Sequence, residues 1–322
     1  LKVLVYGFYG KNNLGDNLFI EAFRYLFPNL ELIFTDTISL AKLRHIDAVF
    51  FGGGSFLFGA PLISEDALEE VKLKKIFYLG VGVETEIHPV HIDLMRRAIM
   101  IVTRSPDQID KLRLLNKNVS TAPDLVYALQ TLTKLSTKSH HSVLIMPNIN
   151  VVPRNSDPHW KHASWGHFKS EFAQFLDWLV ENEYHPTLFP MCQSPKENDA
   201  WVSAELMGHM VNRNEKYLYT YTDNLNISQL TELVSKYSIV ITQRFHGIVL
   251  SEMTRTPYIA LYHHDKLKFS RPNEGTFLSY YNSSKQSFID AFQKTIKMKF
   301  VQPLPIETAT YETFSKEVID LL

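Results

Sequence analysis

The chain has 322 residues, room for two domains of about 150 residues each. Its 33 Lys and Arg against 34 Asp and Glu leave a formal net charge of −1, which excludes recognition of nucleic acid by bulk charge. The single cysteine, Cys192, closes no intrachain disulfide and builds no thiolate metal cluster, so a metal would need His and carboxylate ligands. The lone thiol favours a reducing compartment, the cytoplasm, and a leader removed ahead of Leu1 is compatible with the same sequence. Apolar runs such as V-L-V-Y-G and A-V-F-F-G stop well short of the roughly 18 consecutive residues that a membrane-spanning helix needs, so no span is expected.

From its start the chain alternates short β-rich apolar runs, Gly-containing turns and stretches of helical period, the pattern of a parallel sheet with crossover helices. Strands are predicted at Lys2 to Tyr6, Leu30 to Phe34, Ala48 to Phe51, Ile76 to Leu79 and Met100 to Thr103, with a helix over Leu18 to Leu26. The near-continuous apolar character of these runs implies burial on both faces. A polar stretch from Thr131 to His141 reads as an interdomain linker. A second series follows, with strands at Val143 to Met146, Thr187 to Phe189, Tyr217 to Tyr219, Ile239 to Thr242 and Tyr258 to Leu261. Between the first two of these, Trp165, Phe168, Phe172, Phe175, Leu176 and Leu179 form a helical stripe. The fold class is therefore α/β, two Rossmann-like domains facing a central cleft: residues 1–135, residues 136–305, and a last helix over 306–322 that crosses back to the first domain.

Ligands of such sheets sit beyond the carboxyl ends of the strands, so the turns there are the candidates for chemistry. Gly7 to Asn17, G-F-Y-G-K-N-N-L-G-D-N, opens a helix after the first strand; it lacks both P-loop and G-x-G-x-x-G spacing, and Asp16 is either a helix N-cap or a site residue. Gly52-Gly53-Gly54-Ser55 closes the strand D-A-V-F-F, either to let a helix pack closely or to admit a ligand. Gly80-Val81-Gly82 holds the same place after its own strand. Arg104, in V-T-R-S-P, suits bidentate capture of a carboxylate or phosphate, or else forms an ion pair. Asp124, in A-P-D-L, is a cap or a polar site residue. Gln243-Arg244-Phe245-His246-Gly247 places a fixed cation two residues from a histidine at a strand-to-helix turn. Pro257 to Lys266 ends another strand with Tyr262, Asp265 and Lys266. His88 and His91, like His159 and His162, stand three apart but not in H-E-x-x-H, so no catalytic metal is expected, and there is no G-x-S-x-G elbow.

In their order, G-F-Y-G-x-x-N-x-G-D, G-G-G-S, G-V-G, V-T-R-S, A-P-D-L-V, Q-R-F-H-G and P-Y-I-A-L-Y-x-x-D-K, spread over residues 3 to 266, make the chain resemble the polysaccharide pyruvyl transferase family. The resemblance implies a GT-B-like fold and transfer of pyruvate from phosphoenolpyruvate to a sugar of a glycan or its precursor, forming a cyclic ketal, with phosphoenolpyruvate as co-substrate and no other cofactor. It also implies that Arg244 and His246 lie at the phosphoenolpyruvate site, with Arg104 and Gly52, Gly53 and Gly54 nearby. Asn13, Gly15 and Asp16 would face them from the first domain. Lys266 would add a further cation, His246 would act as general acid or phosphate-stabilising group, and Asp16 would be a candidate base. Trp160 and Trp165 would offer sugar-stacking surface. Two departures stand out: Ser105 follows Arg104 where the family commonly has an acidic residue, and Asn17 follows Asp16 where Glu is common. These bear on acceptor choice and on activity. The alternatives are a GT-B nucleotide-sugar glycosyltransferase and a non-catalytic glycan-binding descendant of the family.

Overall fold

In the computed structural model, residues 1–83, 86–148, 158–195, 197–262, 275–279, 283–298 and 308–322 are described, with side chains of 158–163, 308 and 309 outside the description. The chain divides into two compact units: unit 1 holds Leu1–Lys11, Asp16–Thr131 and Ile306–Leu322, and unit 2 holds Asn12–Gly15 and Leu132–Pro305. The polar stretch after Thr131 is thus where the chain passes from one unit to the other. The short segment Asn12–Gly15 goes with unit 2, although the chain on either side of it belongs to unit 1.

Unit 1 is built on a six-stranded parallel sheet of β1 (Lys2–Tyr6), β2 (Glu31–Thr35), β3 (Ala48–Gly54), β4 (Lys75–Val81), β5 (Met100–Thr103) and β6 (Val119–Thr121), in the order β2-β1-β3-β4-β5-β6. All seven residues of β3 are buried. Because side chains alternate along a strand, Val49 and Phe51 join Leu4, Ile76, Tyr78 and the helix residues Val71 and Leu94 in one cluster. Phe50 and Phe77 meet edge-on across the other face, 5.2 Å between centroids, with Phe27 packed on Phe50. The apolar runs are continuous because both faces are covered. The helix Thr308–Leu321 lies in unit 1. It buries Tyr311, Phe314 and Val318, sets the Phe314 ring 6.1 Å from Phe27, and donates the Tyr311 hydroxyl to the Asp124 carbonyl at 3.0 Å. Leu321, at the same helical spacing, is 39 % exposed.

Unit 2 carries a five-stranded parallel sheet of β7 (Ser142–Met146), β8 (His185–Leu188), β11 (Ile239–Thr242), β12 (Tyr258–Tyr262) and β13 (Gly275–Ser279), ordered β13-β12-β11-β7-β8. A two-residue hairpin, β9 (Gln193–Ser194) and β10 (Glu197–Asn198), stands apart from it. Val143, Ile145, Ile239, Ile241, Ile259 and Leu261 present one sheet face to Phe168, Phe172, Phe175, Leu176 and Leu179 of the helix Pro158–Glu181. Trp165 is partly buried against this packing, its ring stacked on Phe168 at 5.6 Å between centroids. The predicted strand Tyr217 to Tyr219 is instead a 3₁₀ turn, Glu215–Tyr217, followed by one bridge from Leu218 to Leu188. Its three residues have strand-like composition, but Glu215 and Lys216 close a turn capped by the Asn214 side chain, which accepts from the Lys216 N–H at 3.0 Å. No described helix is long and apolar enough to cross a membrane.

Each sheet has its switch point next to its first strand. The chain leaves β1 for β2 on one side and returns to β3 on the other; in unit 2 it leaves β7 for β8 and returns to β11. The crevices for ligands therefore open at the carboxyl ends of β1 and β3 and of β7 and β11.

Candidate active site

In unit 2 the carboxyl end of β11 continues into Gln243 and Arg244 and then into the helix Phe245–Thr254. The turn is fastened on both sides. Gln243 N–H donates to the Met146 carbonyl at 3.0 Å, and the Gln243 amide oxygen accepts from Asn148 N–H at 2.9 Å, joining the ends of β11 and β7. Thr242 Oγ1 accepts from Arg244 N–H and donates to its carbonyl, both at 2.9 Å, which sets the extended backbone (φ −99°, ψ 132°) that ends the strand and starts the helix. Arg244 and His246 are thereby held on one rigid turn at the switch point.

The Arg244 guanidinium is a clamped cation. Its Nε donates to Asp199 Oδ2 at 3.0 Å and its Nη2 to Asp199 Oδ1 at 2.5 Å, while Nη1 lies 3.4 Å from Glu197 Oε2. Asp199 opens the helix Asp199–His209, is fully buried, and its Oδ2 also accepts from Met191 N–H at 3.1 Å and Cys192 N–H at 2.9 Å. Burial pushes the Asp199 carboxyl up from its ordinary value, opposed by the attraction and hydrogen bonds of Arg244. Four N–H donors converge on the carboxylate, each favouring its charged form. Burial alone would lower Arg244, but the attraction and hydrogen bonds of Asp199, together with the nearby Cys192 and Glu197, outweigh it and hold the guanidinium above its ordinary range. Cys192 is buried beside this pair, and burial pushes its thiol up, away from a reactive thiolate.

The segment Asn12–Gly15 completes this side of unit 2. Gln193 N–H donates to the Asn12 carbonyl at 2.8 Å, Leu14 N–H donates to the Met191 carbonyl at 2.9 Å, and Asn13 bridges Cys192 in antiparallel sense. Asn13 Oδ1 accepts from Gly15 N–H at 3.1 Å, capping the helix that begins at Leu14. Gly15 then lies against the His246 ring, and a Cβ at this position would overlap Nδ1. His246 is 9 % exposed. Asn13, Gly15, Arg244 and His246 are thus together in unit 2, and Asn13, not Asp16, occupies the capping position.

The remaining candidates lie in unit 1. Arg104 pairs with Asp124 Oδ2 through Nη1, donates to Ser55 Oγ at 3.1 Å through Nη2, and sits 5.9 Å from the Phe19 centroid. The other oxygen of Asp124 accepts from Val126 N–H at 3.0 Å. Asp124 is both the cap and the ion-pair partner. Ser105 has a structural task, accepting from Val83 N–H at 3.1 Å. Of the three glycines, Gly52 faces Phe23 and Gly53, with φ +71°, faces the Phe19 ring, so both admit helix side chains onto the strand end. Gly54 has φ +87°, and a Cβ there would lie 3.5 Å from Asp16 Oδ1. Asp16 is in the first turn of the helix Leu14–Leu26, and its charge, added to burial, pushes the Tyr9 phenol well above its ordinary value. Lys266 and Asp265 lie outside the described residues, as does the Trp160 side chain. Of the two histidine pairs, His159 and His162 also have undescribed side chains. His88 accepts from Val90 N–H at 3.3 Å through Nδ1, capping its helix, and His91 is buried beside the Tyr78 hydroxyl at 3.0 Å.

Asp199 and Glu197 carry no motif and were missed from sequence. The only signal was indirect: a strand-end Arg at the start of an apolar helix calls for a counter-charge.

Two Rossmann-like units with switch points so placed define a GT-B-like two-domain fold, and solved structures share it over the whole length of the chain. The UDP-GlcNAc 2-epimerase of Methanocaldococcus jannaschii matches with TM-score 0.60 and 8% identity over 99% of this chain and 100% of that one. A UDP co-structure of S. aureus MnaA matches with TM-score 0.58 and 12% identity over 99% and 94%. Anabaena Alr3699/HepE in complex with UDP and glucose matches with TM-score 0.57 and 11% identity over 100% of both chains. At these identities the likeness is one of fold alone. No curated protein matches the chain. The sequence profile described as polysaccharide pyruvyl transferase matches residues 13–265, a span that holds the Asn13 turn, the glycine turns, Arg104 and the Arg244-His246 turn. The chain belongs to the polysaccharide pyruvyl transferase family.

Proposed function

We propose that the chain transfers pyruvate from phosphoenolpyruvate to two hydroxyls of a sugar, on a glycan or its precursor, releasing inorganic phosphate and leaving a cyclic ketal. The observation that carries this reading is the single turn at the end of β11 that fixes Arg244 and His246 at the switch point of unit 2. Phosphoenolpyruvate is a small molecule with a carboxylate and a phosphate, and a planar guanidinium beside a helix start is suited to anions of that geometry.

The reaction is redox-neutral. A proton adds to the methylene carbon of the enol, and the adjacent carbon takes on oxocarbenium character. One sugar hydroxyl oxygen bonds to that carbon and its proton goes to a base. The C–O bond to phosphate breaks with its electron pair going to phosphate, and the second hydroxyl oxygen bonds to the same carbon and closes the ketal, its proton passing to the released phosphate. His246 is the proton donor in this scheme, either to the enol carbon or to the departing phosphate, and Arg244 stabilises the negative charge that moves onto phosphate. Asp16, the weaker candidate for the base, belongs to unit 1, beside Gly54.

Thermal-shift titration with phosphoenolpyruvate against UDP- and GDP-sugars tests the donor. Stabilisation by phosphoenolpyruvate, lost in an Arg244→Ala His246→Ala variant, is the expected outcome. A response to a nucleotide sugar alone would make the chain a glycosyltransferase, and an equal response of the double variant would remove the site from this turn.

A further inference from the structure

The two carboxylates at Arg244 are held differently. Asp199 has no exposed side-chain surface, takes two backbone N–H bonds in addition to the fork from Nε and Nη2, and starts a helix. Glu197 has a side chain 31% exposed and touches the guanidinium by one contact of 3.4 Å to Nη1. It stands on β10, a strand of two residues, with its backbone N–H donating to Ser194 Oγ at 3.1 Å. The inner edge of the guanidinium is therefore fixed, and the outer edge meets a carboxylate that reaches solvent.

We infer that Glu197 is a displaceable counter-ion: it covers the outer edge of Arg244 when no anion is bound and must give way when a phosphate or carboxylate group binds there, while Asp199 is the positioning residue that holds the fork in place. This rests on the reading of Arg244 as an anion-binding residue. The chemistry follows from charge. An arginine has five N–H donors, and Asp199 takes two of them, so Nη1 and the second N–H of Nη2 remain as one more flat edge that fits a second oxyanion. Glu197 and an incoming anion are like charges competing for that edge, so the carboxylate weakens binding and speeds release. Asp199 cannot play this part: its side chain has no exposed surface and is tied to two backbone N–H groups, so separating it from the guanidinium would leave a buried carboxylate without its cation.

The experiment is isothermal titration of the full chain with inorganic phosphate and, separately, with phosphoenolpyruvate, in the wild type and in Glu197→Gln. Gln keeps the shape of the side chain and removes its charge, and an unchanged melting temperature without ligand shows that the fold is kept. The expected result is binding about 3- to 10-fold tighter for both anions in the Gln variant, the range of one partly exposed ion pair, with the difference shrinking as salt is raised. A second variant, Asp199→Asn, weakens binding of both anions. Equal or weaker binding of both anions by Glu197→Gln overturns the inference, as does failure of either protein to bind any anion. If phosphate gains in the Gln variant but phosphoenolpyruvate binds neither protein, the counter-ion role stands and the donor assignment falls. If phosphoenolpyruvate binds the wild type and the Gln variant gains nothing, the reverse holds.

Discussion

Gly15 lies against the imidazole of His246 so closely that a Cβ on residue 15 would overlap Nδ1. The glycine of the G-D pair is thus a matter of space as well as of backbone, and it ties the first loop of the chain to the histidine of the β11 turn. Gly15→Ala should push the ring away from its place. The expected effect is a fall in kcat of about 10-fold or more, the size of an effect from a small misplacement of a reacting group, with the fold retained by circular dichroism. An unchanged kcat would mean that the ring yields without consequence.

Arg104 and Asp124 form an ion pair whose side chains are 6% and 1% exposed. Removing one partner leaves the other charge buried. Asp124→Ala should lower stability by about 3 kcal/mol or more, measured by urea unfolding, because it strips Arg104 of its counter-ion and Val126 N–H of its acceptor. A double replacement of Arg104 and Asp124 by apolar residues of similar volume should cost less than Asp124→Ala alone.

His91 is fully buried, and burial drives its pKa from the ordinary value of 6.5 to about 3, with the His88 charge adding to the effect. The folded protein holds this ring neutral, whereas the unfolded chain protonates it below about pH 6.5. The unfolded state therefore binds more protons between these values, so stability falls as pH drops from about 6.5 towards 3 and is unaffected by this group above 6.5. His91→Gln removes the titration. The loss of unfolding free energy between pH 7 and pH 5.5 should be about 1 kcal/mol smaller in the variant than in the wild type. Parallel pH curves for the two proteins would refute this.

The C-terminal helix contributes to unit 1 through Tyr311 and Phe314. Tyr311→Phe deletes one buried hydroxyl that donates to the Asp124 carbonyl at 3.0 Å, at a cost of about 1 kcal/mol. Phe314→Ala removes a ring packed on Phe27 and should cost about 3 kcal/mol or more. Chemical denaturation of both variants gives the ratio, and a larger loss for Tyr311→Phe would show that the hydroxyl, and not the ring packing, secures the helix.

Most of the parallel strands could be read in the chain because burial on both faces leaves long apolar runs, and the alternation of Val49 and Phe51 with Phe50 shows in the structure as two separate clusters. Shorter elements escaped. β6 has only three residues, two of them polar and exposed, and β13 follows residues with no apolar run of their own. Tyr217 to Tyr219 failed for the opposite reason: strand-like composition was overruled by a side-chain cap at Asn214.

The turns that matter were legible because each is local, a strand end, a few special residues and a helix start within about ten positions. The charges that decide what those turns can do were not. Asp199 stands 45 residues before Arg244, and Asp124 stands 20 after Arg104. Electrostatic partnership depends on distance in space, and nothing in the spacing along the chain records it. By itself the sequence determined the strand-turn-helix units, the ordered motifs and the family they belong to. Tertiary structure alone decided that both strand-end arginines are already paired with buried aspartates, that residues 12–15 pack with the second unit against His246, and that Glu197 is the carboxylate placed to compete for the outer edge of Arg244.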